Sequence, residues 1–135
     1  MAELAGIETV VFLQSVDLFR FCRAGQVLRL AGIAKERPFA AGETLYNVGD
    51  SAQTLYCVVR GGVEERCEYG SHRNAGPLTT VGVKDILSGR LRTAHTVASE
   101  ETLTLAIDSE DFFDLLAHNI EIVKAIFRTL LNGGS

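Results

Sequence analysis

The residues best suited to chemistry lie in one run, Val81-Gly82-Val83-Lys84-Asp85-Ile86-Leu87-Ser88-Gly89-Arg90-Leu91-Arg92-Thr93-Ala94-His95-Thr96-Val97-Ala98. It holds a glycine, a short helical piece, and an arginine, Arg92, ten residues after Gly82. A small anion needs only one cation and some backbone donors, so this run is a candidate for holding one. Arg92 also reads as an ordinary surface arginine after the turn at 88–91. The deciding feature is whether it faces a cavity beside the Gly82 amides or pairs with Asp85 or a surface acid. His95 reads as a pocket or core residue with a satisfied bond. Lys84 reads either as the pocket mouth or as a solvated cation. His72, His95 and His118 fall on different predicted elements, so no metal site is expected. Cys57 sits in an apolar run and reads as core, not nucleophile. The acids from 108 to 111 read as a helix start. No acid–base or nucleophile constellation is present, so catalytic residues are expected to be none and the chain is expected not to be an enzyme.

The elements that must position this run belong to a chain of 135 residues, the size of one domain spanning 1–135. Folding at that length buries roughly two-thirds of the unfolded surface. Apolar content of 47% and charged content of 22% fit a soluble globule. The net charge of −4 argues against nucleic acid as a partner, since a basic stripe would be needed. Three cysteines without Cys-x-x-Cys spacing point away from disulfides and toward a reducing, cytoplasmic setting. The first eight residues carry two acids and no base, so no secretory signal is expected. No apolar run approaches the roughly 20 residues that span a bilayer, so no membrane insertion is expected.

Residues 8–34 show apolar recurrence at three and four, with a break near Cys22 to Gly25, and predict N-terminal helices ended by Pro38. Residues 37–107 switch to period two. Leu45, Tyr46 and Val48 precede the Gly49-Asp50 turn, and Leu55 to Val59 is a β-branched and aromatic strand. Gly61-Gly62 turns it, and 63–69 return. Residues 70–77 read as a polar loop, and 93–98 and 102–107 as further strands. Short strands with close turns predict a roll or barrel. Residues 109–132 predict two C-terminal helices. The first is opened by a small polar cap with complementing acids. The second carries Ile120, Val123, Ile126, Phe127, Leu130 and Leu131, spaced for one apolar stripe, and is ended by Asn132-Gly133-Gly134-Ser135.

Phe12-Leu13-x-x-Val16-x-Leu18-Phe19, then Pro38-Phe39-x-x-Gly42-Glu43-x-Leu45-x-x-x-Gly49-Asp50, then Leu55-Tyr56-x-Val58-Val59-x-Gly61 resemble the cyclic-nucleotide-binding domain family over about residues 10–131. The resemblance implies a mainly β fold with flanking helices. That fold is a double-stranded β-helix, or jelly-roll-like β-roll, with N-terminal helices and two C-terminal helices. It also implies that 81–98 is a phosphate-binding cassette, aligned without a gap. In the family, amides at a short helix start cradle the cyclic phosphate. An arginine binds its exocyclic oxygens, and a glutamate accepts from the ribose 2′-hydroxyl. Gly82 matches the family glycine, Arg92 the arginine, and Ala94 the following alanine. Val83 stands where the glutamate belongs, His95 where Ser or Thr belongs, Val81 where the aromatic belongs, and Lys84-Asp85 replaces a small apolar pair.

The implied ligand residues are Gly82, Val83, Lys84, Arg92, Thr93, Ala94 and His95. Val83 cannot accept from a hydroxyl, and an unpaired buried hydroxyl costs about 1–3 kcal/mol. The resemblance therefore implies a regulatory module that keeps affinity for a nucleotide or another small phosphate-containing ligand while losing sugar specificity. Cyclic AMP or cyclic GMP is the candidate ligand, and no cofactor is implied. The signal would pass through the C-terminal helices to an attached or partner effector domain, or across a homodimer seam. The alternative is an interaction module that keeps the fold and no longer binds cyclic nucleotide.

Overall fold

The structure is a computed structural model that describes residues 6–68 and 70–133. Met1 to Ala5, Tyr69 at the end of the predicted return strand, and Gly134-Ser135 of the predicted stop lie outside the described residues. The chain begins with α1 (Gly6–Ser15), a 3-10 turn (Asp17–Phe19) and α2 (Ala24–Ala31). Strands β1 (Ala34–Phe39), β2 (Thr44–Tyr46), β3 (Thr54–Arg60), β4 (Val63–Cys67), β5 (His72–Ala75) and β6 (Thr80–Val81) follow. Helix α3 (Val83–Ser88) interrupts the roll before β7 (Ala94–Ala98) and β8 (Thr102–Asp108), and α4 (Ser109–Ala117) and α5 (Ile120–Gly133) close the fold.

The strands form two four-stranded antiparallel sheets, ordered β1-β8-β3-β6 and β2-β7-β4-β5. This is the β-roll with flanking helices that the spacing of turns and the resemblance predicted. Side chains on β3 alternate between two cores. Leu55 and Cys57 face a helical core with Phe19, Leu30, Ile86, Phe112 and Ile122. Tyr56 and Val58 face the roll interior with Phe39, Tyr46, Val63 and Ala98. A strand buried on both faces needs a continuous apolar run, which is why residues 55–59 show no polar position. Each fully buried large side chain contributes about 1.5–3 kcal/mol.

Three elements differ from the sequence reading. β1 pairs with β8 from Ala34 onward, so the strand region starts before residue 37. Pro38 does not end a helix; it lies on an edge strand, where its missing donor is harmless. His72–Ala75, read as loop, is a strand paired with β4. It is an edge strand whose exposed positions are polar, so apolar alternation was never available to reveal it. The cap of α4 is Asp108, the last residue of β8. Its Oδ1 accepts from the N–H groups of Glu110 (2.8 Å) and Asp111 (3.3 Å).

The three cysteines are free. Burial pushes the Cys57 thiol up to about 12 and the Cys22 thiol up to about 11, whereas Cys67 is exposed. A buried thiol resists ionisation and reaction. Alkylation of the folded domain at pH 8 is therefore expected to modify Cys67 first, with Cys57 protected until denaturant is added. Mass spectrometry of the digested protein reads this directly, and native labelling of Cys57 would contradict its packing. The same burial sets a pH limit. Above the ordinary value of 9.0 the unfolded chain loses the Cys57 proton while the folded chain keeps it to about 12, so stability falls across that window.

Candidate functional site

The cassette starts where β6 ends. Gly82 adopts φ +86°, a left-handed conformation that turns the chain into α3. Val83 and Ile86 bury into the helical core and hold α3 in place. Gly89, at φ +67°, ends the helix. Burial then alternates along residues 92–98: Arg92, Ala94, Thr96 and Ala98 face inward.

Arg92 is only 3% exposed. Its Nη1 donates to the Gly82 carbonyl oxygen at 2.6 Å, and its Nη2 donates to the Thr54 carbonyl oxygen. Asp85 Oδ2 lies 3.6 Å from Nη1, and the guanidinium sits 4.0 Å from the centre of the Tyr46 ring. The Nε is buried without an acceptor among the described residues. The backbone is pinned as well: Arg92 N–H donates to Asp50 O at 2.8 Å, and Gly49 N–H donates to Arg92 O at 2.9 Å. Asp85 is also engaged by Arg90, whose Nε donates to Oδ1 at 2.7 Å. The left-handed φ of +86° favours glycine at 82, and a Cβ there would also press on the Arg92 guanidinium, 2.8 Å from Nη1. The arginine therefore binds the carbonyl of Gly82 rather than sitting open beside its amide, and it pairs with Asp85.

Gly82, Val83, Lys84 and Thr93 come together around a cavity of about 120 Å³. Ligand sites for small molecules usually measure about 300–1,000 Å³. Glu65 and Arg73 also line this cavity. They are direct partners across β4 and β5, with Arg73 Nε 3.2 Å from Glu65 Oε1. That contact is an ion pair without hydrogen-bond alignment, since Glu65 Oε1 has no hydrogen-bond partner. Arg92 instead lines a separate, open hollow of about 360 Å³ with Tyr46, Asp50, Ser51 and Thr54. Ala94 is buried in β7. His95 is on the exposed side of that strand, its Nδ1 3.1 Å from Asn47 Oδ1 and 3.4 Å from Val48 N. The seven expected ligand residues thus divide into four at one small cavity, Arg92 behind it, and Ala94 and His95 away from both.

Sequence reading missed Glu65, Arg73, Tyr46 and Thr54 as neighbours of the site. Glu65 and Arg73 carry the one detectable signal, opposite charges near a turn. Thr54 acts through its carbonyl, which no side-chain pattern reports. Among the described residues, no group of three or more His, Cys, Asp or Glu side chains is placed to hold a metal ion, and no helix is long and apolar enough to cross a membrane.

A family model described as "Cyclic nucleotide-binding domain" matches residues 36–119. No curated protein matches the chain. Among solved structures, the N-terminal domain of a transcriptional regulator from Streptomyces coelicolor A3(2) is similar at 27% identity and a TM-score of 0.75, with 90% of each chain covered. The catabolite activator protein of Thermus thermophilus is similar at 28% identity and a TM-score of 0.72. The match covers 86% of this chain and 57% of that one. The regulatory subunit of a cAMP-independent protein kinase A from Trypanosoma brucei shares the fold at 20% identity and a TM-score of 0.76, over 93% of this chain and 48% of that one. The chain thus spans nearly all of the first of these structures and about half of the other two.

Proposed function

Because the chain belongs to the cyclic nucleotide-binding domain family, we propose that it is a non-enzymatic regulatory domain whose cassette arginine serves the fold and no longer serves a cyclic nucleotide. The observation that carries this reading is the engagement of Arg92: Nη1 and Nη2 already donate to two backbone carbonyls, beside Asp85 and the Tyr46 ring, and Nε alone is without an acceptor among the described residues. A phosphate that took over the Nη1 and Nη2 bonds would strip the Gly82 and Thr54 carbonyls of their donor, and Val83 would leave a ribose hydroxyl unpaired. Each such loss costs about 1–3 kcal/mol, so the three together remove at least about 3 kcal/mol, or about 100-fold in affinity.

Output then falls to the C-terminal helices. Helix α5 has two apolar faces. Ile122, Ala125 and Ile126 are buried, whereas Phe127 is 61% and Leu131 82% exposed. The outer stripe is the face through which the domain acts on an attached or partner effector domain, or on a second copy of itself.

Calorimetric titration with cyclic AMP and cyclic GMP tests the reading. Neither nucleotide is expected to give saturable heat in the micromolar range. Val83→Glu alone is not expected to restore binding, because it supplies the ribose acceptor without freeing Arg92. Micromolar binding that disappears in Arg92→Ala would overturn the proposal. The second reading, a phosphate-type anion held beside α3, is favoured by one observation: Gly82, Val83, Lys84 and Thr93 do share a cavity. Inorganic phosphate in the same titration separates the two.

A further inference from the structure

Beside the cassette cavity, a hollow of about 470 Å³ lies between the 3-10 turn, strands β5 and β6, the start of α3, and α5. Its volume falls in the range of about 300–1,000 Å³ that accommodates small molecules. Three cations from three separate elements line it: Arg20 after the 3-10 turn, Arg73 on β5 and Lys84 on α3. Asp17 is the one acid in its lining. Asp17 Oδ1 accepts from Leu18 N–H (2.6 Å), Thr80 N–H (3.1 Å) and the Thr80 hydroxyl (2.8 Å). Those bonds fasten the 3-10 turn to β6. Among the described residues Lys84 has no ion-pair partner. Arg73 has only the misaligned contact with Glu65, reached from the cassette side, and Arg20 lies over the Phe21 ring. A surplus of positive charge is thus gathered in one hollow of a chain whose net charge is −4.

We infer that this hollow is a binding site for a compact, multiply charged phosphate compound, beside the cassette cavity, with which it shares Arg73, Thr80, Val83 and Lys84. Guanidinium forks match phosphate oxygens in pairs, and an unpaired ammonium adds a mobile point charge. Arg20, Arg73 and Lys84 come from different parts of the chain, so an anion that bridges them ties those parts together. Helix α5 forms one wall: the Thr129 hydroxyl lies 3.2 Å from both Leu18 O and Ala125 O, at the seat of α5 on the 3-10 turn. Ligand in the hollow therefore bears on the same helix that presents the outer apolar stripe.

The probe is inorganic pyrophosphate, followed by amide chemical shifts of the whole domain at constant ionic strength, with sodium chloride as the control. Saturable shifts at Thr80, Lys84 and Thr129, with a dissociation constant below a millimolar, are expected. Lys84→Met and Arg20→Met, made separately, are each expected to weaken binding about tenfold, the value of one charge-assisted bond. Both side chains are exposed, so the variants keep the wild-type spectrum and a failure of one leaves the other as a test. No saturable shift, shifts matched by sodium chloride, or affinity unchanged in both variants would overturn the site. Lys84 and Arg73 also line the cassette cavity whereas Arg20 does not, so pyrophosphate binding weakened in Lys84→Met but unchanged in Arg20→Met would place the anion in the cassette and overturn this site.

Discussion

Arg92→Ala lowers the stability of the folded domain by about 3–5 kcal/mol, the usual cost of removing one partner from a buried charged network. The reason lies in what the side chain holds. Without it, Gly82 O and Thr54 O lose their donor, Asp85 keeps only Arg90, and the Tyr46 ring loses its cation. The three segments pinned together are the start of α3, the start of β3 and the end of β2, so the whole cassette loosens at once. Urea unfolding reads the loss as a lower midpoint with an unchanged slope. Arg92→Lys recovers part of it, since a single ammonium cannot span two carbonyls in the way a planar fork does. Arg90→Ala is the control. It removes a half-exposed partner of the same Asp85 and changes stability by about 1 kcal/mol or less. An Arg92→Ala domain as stable as the original would mean that the arginine carries no structural load.

Gly61→Ala costs about 2–5 kcal/mol, combining about 1–2 for a left-handed alanine with about 1–3 for overpacking. Gly61 sits at φ +87°, where β3 turns into β4. A Cβ there would run into the Glu101 carbonyl oxygen, and would lie 2.6 Å from Thr102 Oγ1 and 2.8 Å from Thr102 Cα. Two of those obstacles are backbone atoms and cannot swing aside. The third is committed: Thr102 Oγ1 accepts from Gly62 N–H at 3.1 Å and lies within hydrogen-bond distance of Gly62 O and Glu100 O. Gly42 and Gly49 also have positive φ, but open space surrounds them. Alanine there costs about 1–2 kcal/mol, from backbone strain alone. Thermal or urea unfolding of the three variants should rank Gly61 well below the others. Equal losses would mean that backbone strain, not the close approach, sets the cost.

Much of the fold was legible because its signals are local. Leu55 to Val59 announces a strand buried on both faces, and Gly49-Asp50 and Gly61-Gly62 announce corners; the stripe read on α5 from Ile120 to Leu131 is divided, since Ile126 is buried whereas Ile120, Phe127 and Leu131 are exposed and burial falls also on Ile122 and Ala125. The strand at His72–Ala75 was hidden because its pairing is made by backbone groups and its exposed side chains are polar. At the site, the alignment of Gly82 with Arg92 was readable, and so was the missing acid at Val83. The destination of the Arg92 guanidinium was not. Two of its partners are main-chain oxygens, at Gly82 and Thr54, and a carbonyl looks the same in every residue. The Glu65–Arg73 contact depends on the register of β4 and β5, which only the folded chain defines.

The claim that Arg92 spends its Nη donors on its own fold is tested most directly by the N–H signals of its side chain. In ligand-free protein the buried guanidinium should give side-chain resonances that exchange slowly with water. Addition of millimolar cyclic AMP should leave them where they are. Saturable movement of those resonances, with release of the bonds to Gly82 and Thr54, would contradict the account and return Arg92 to the role of a ligand-binding residue.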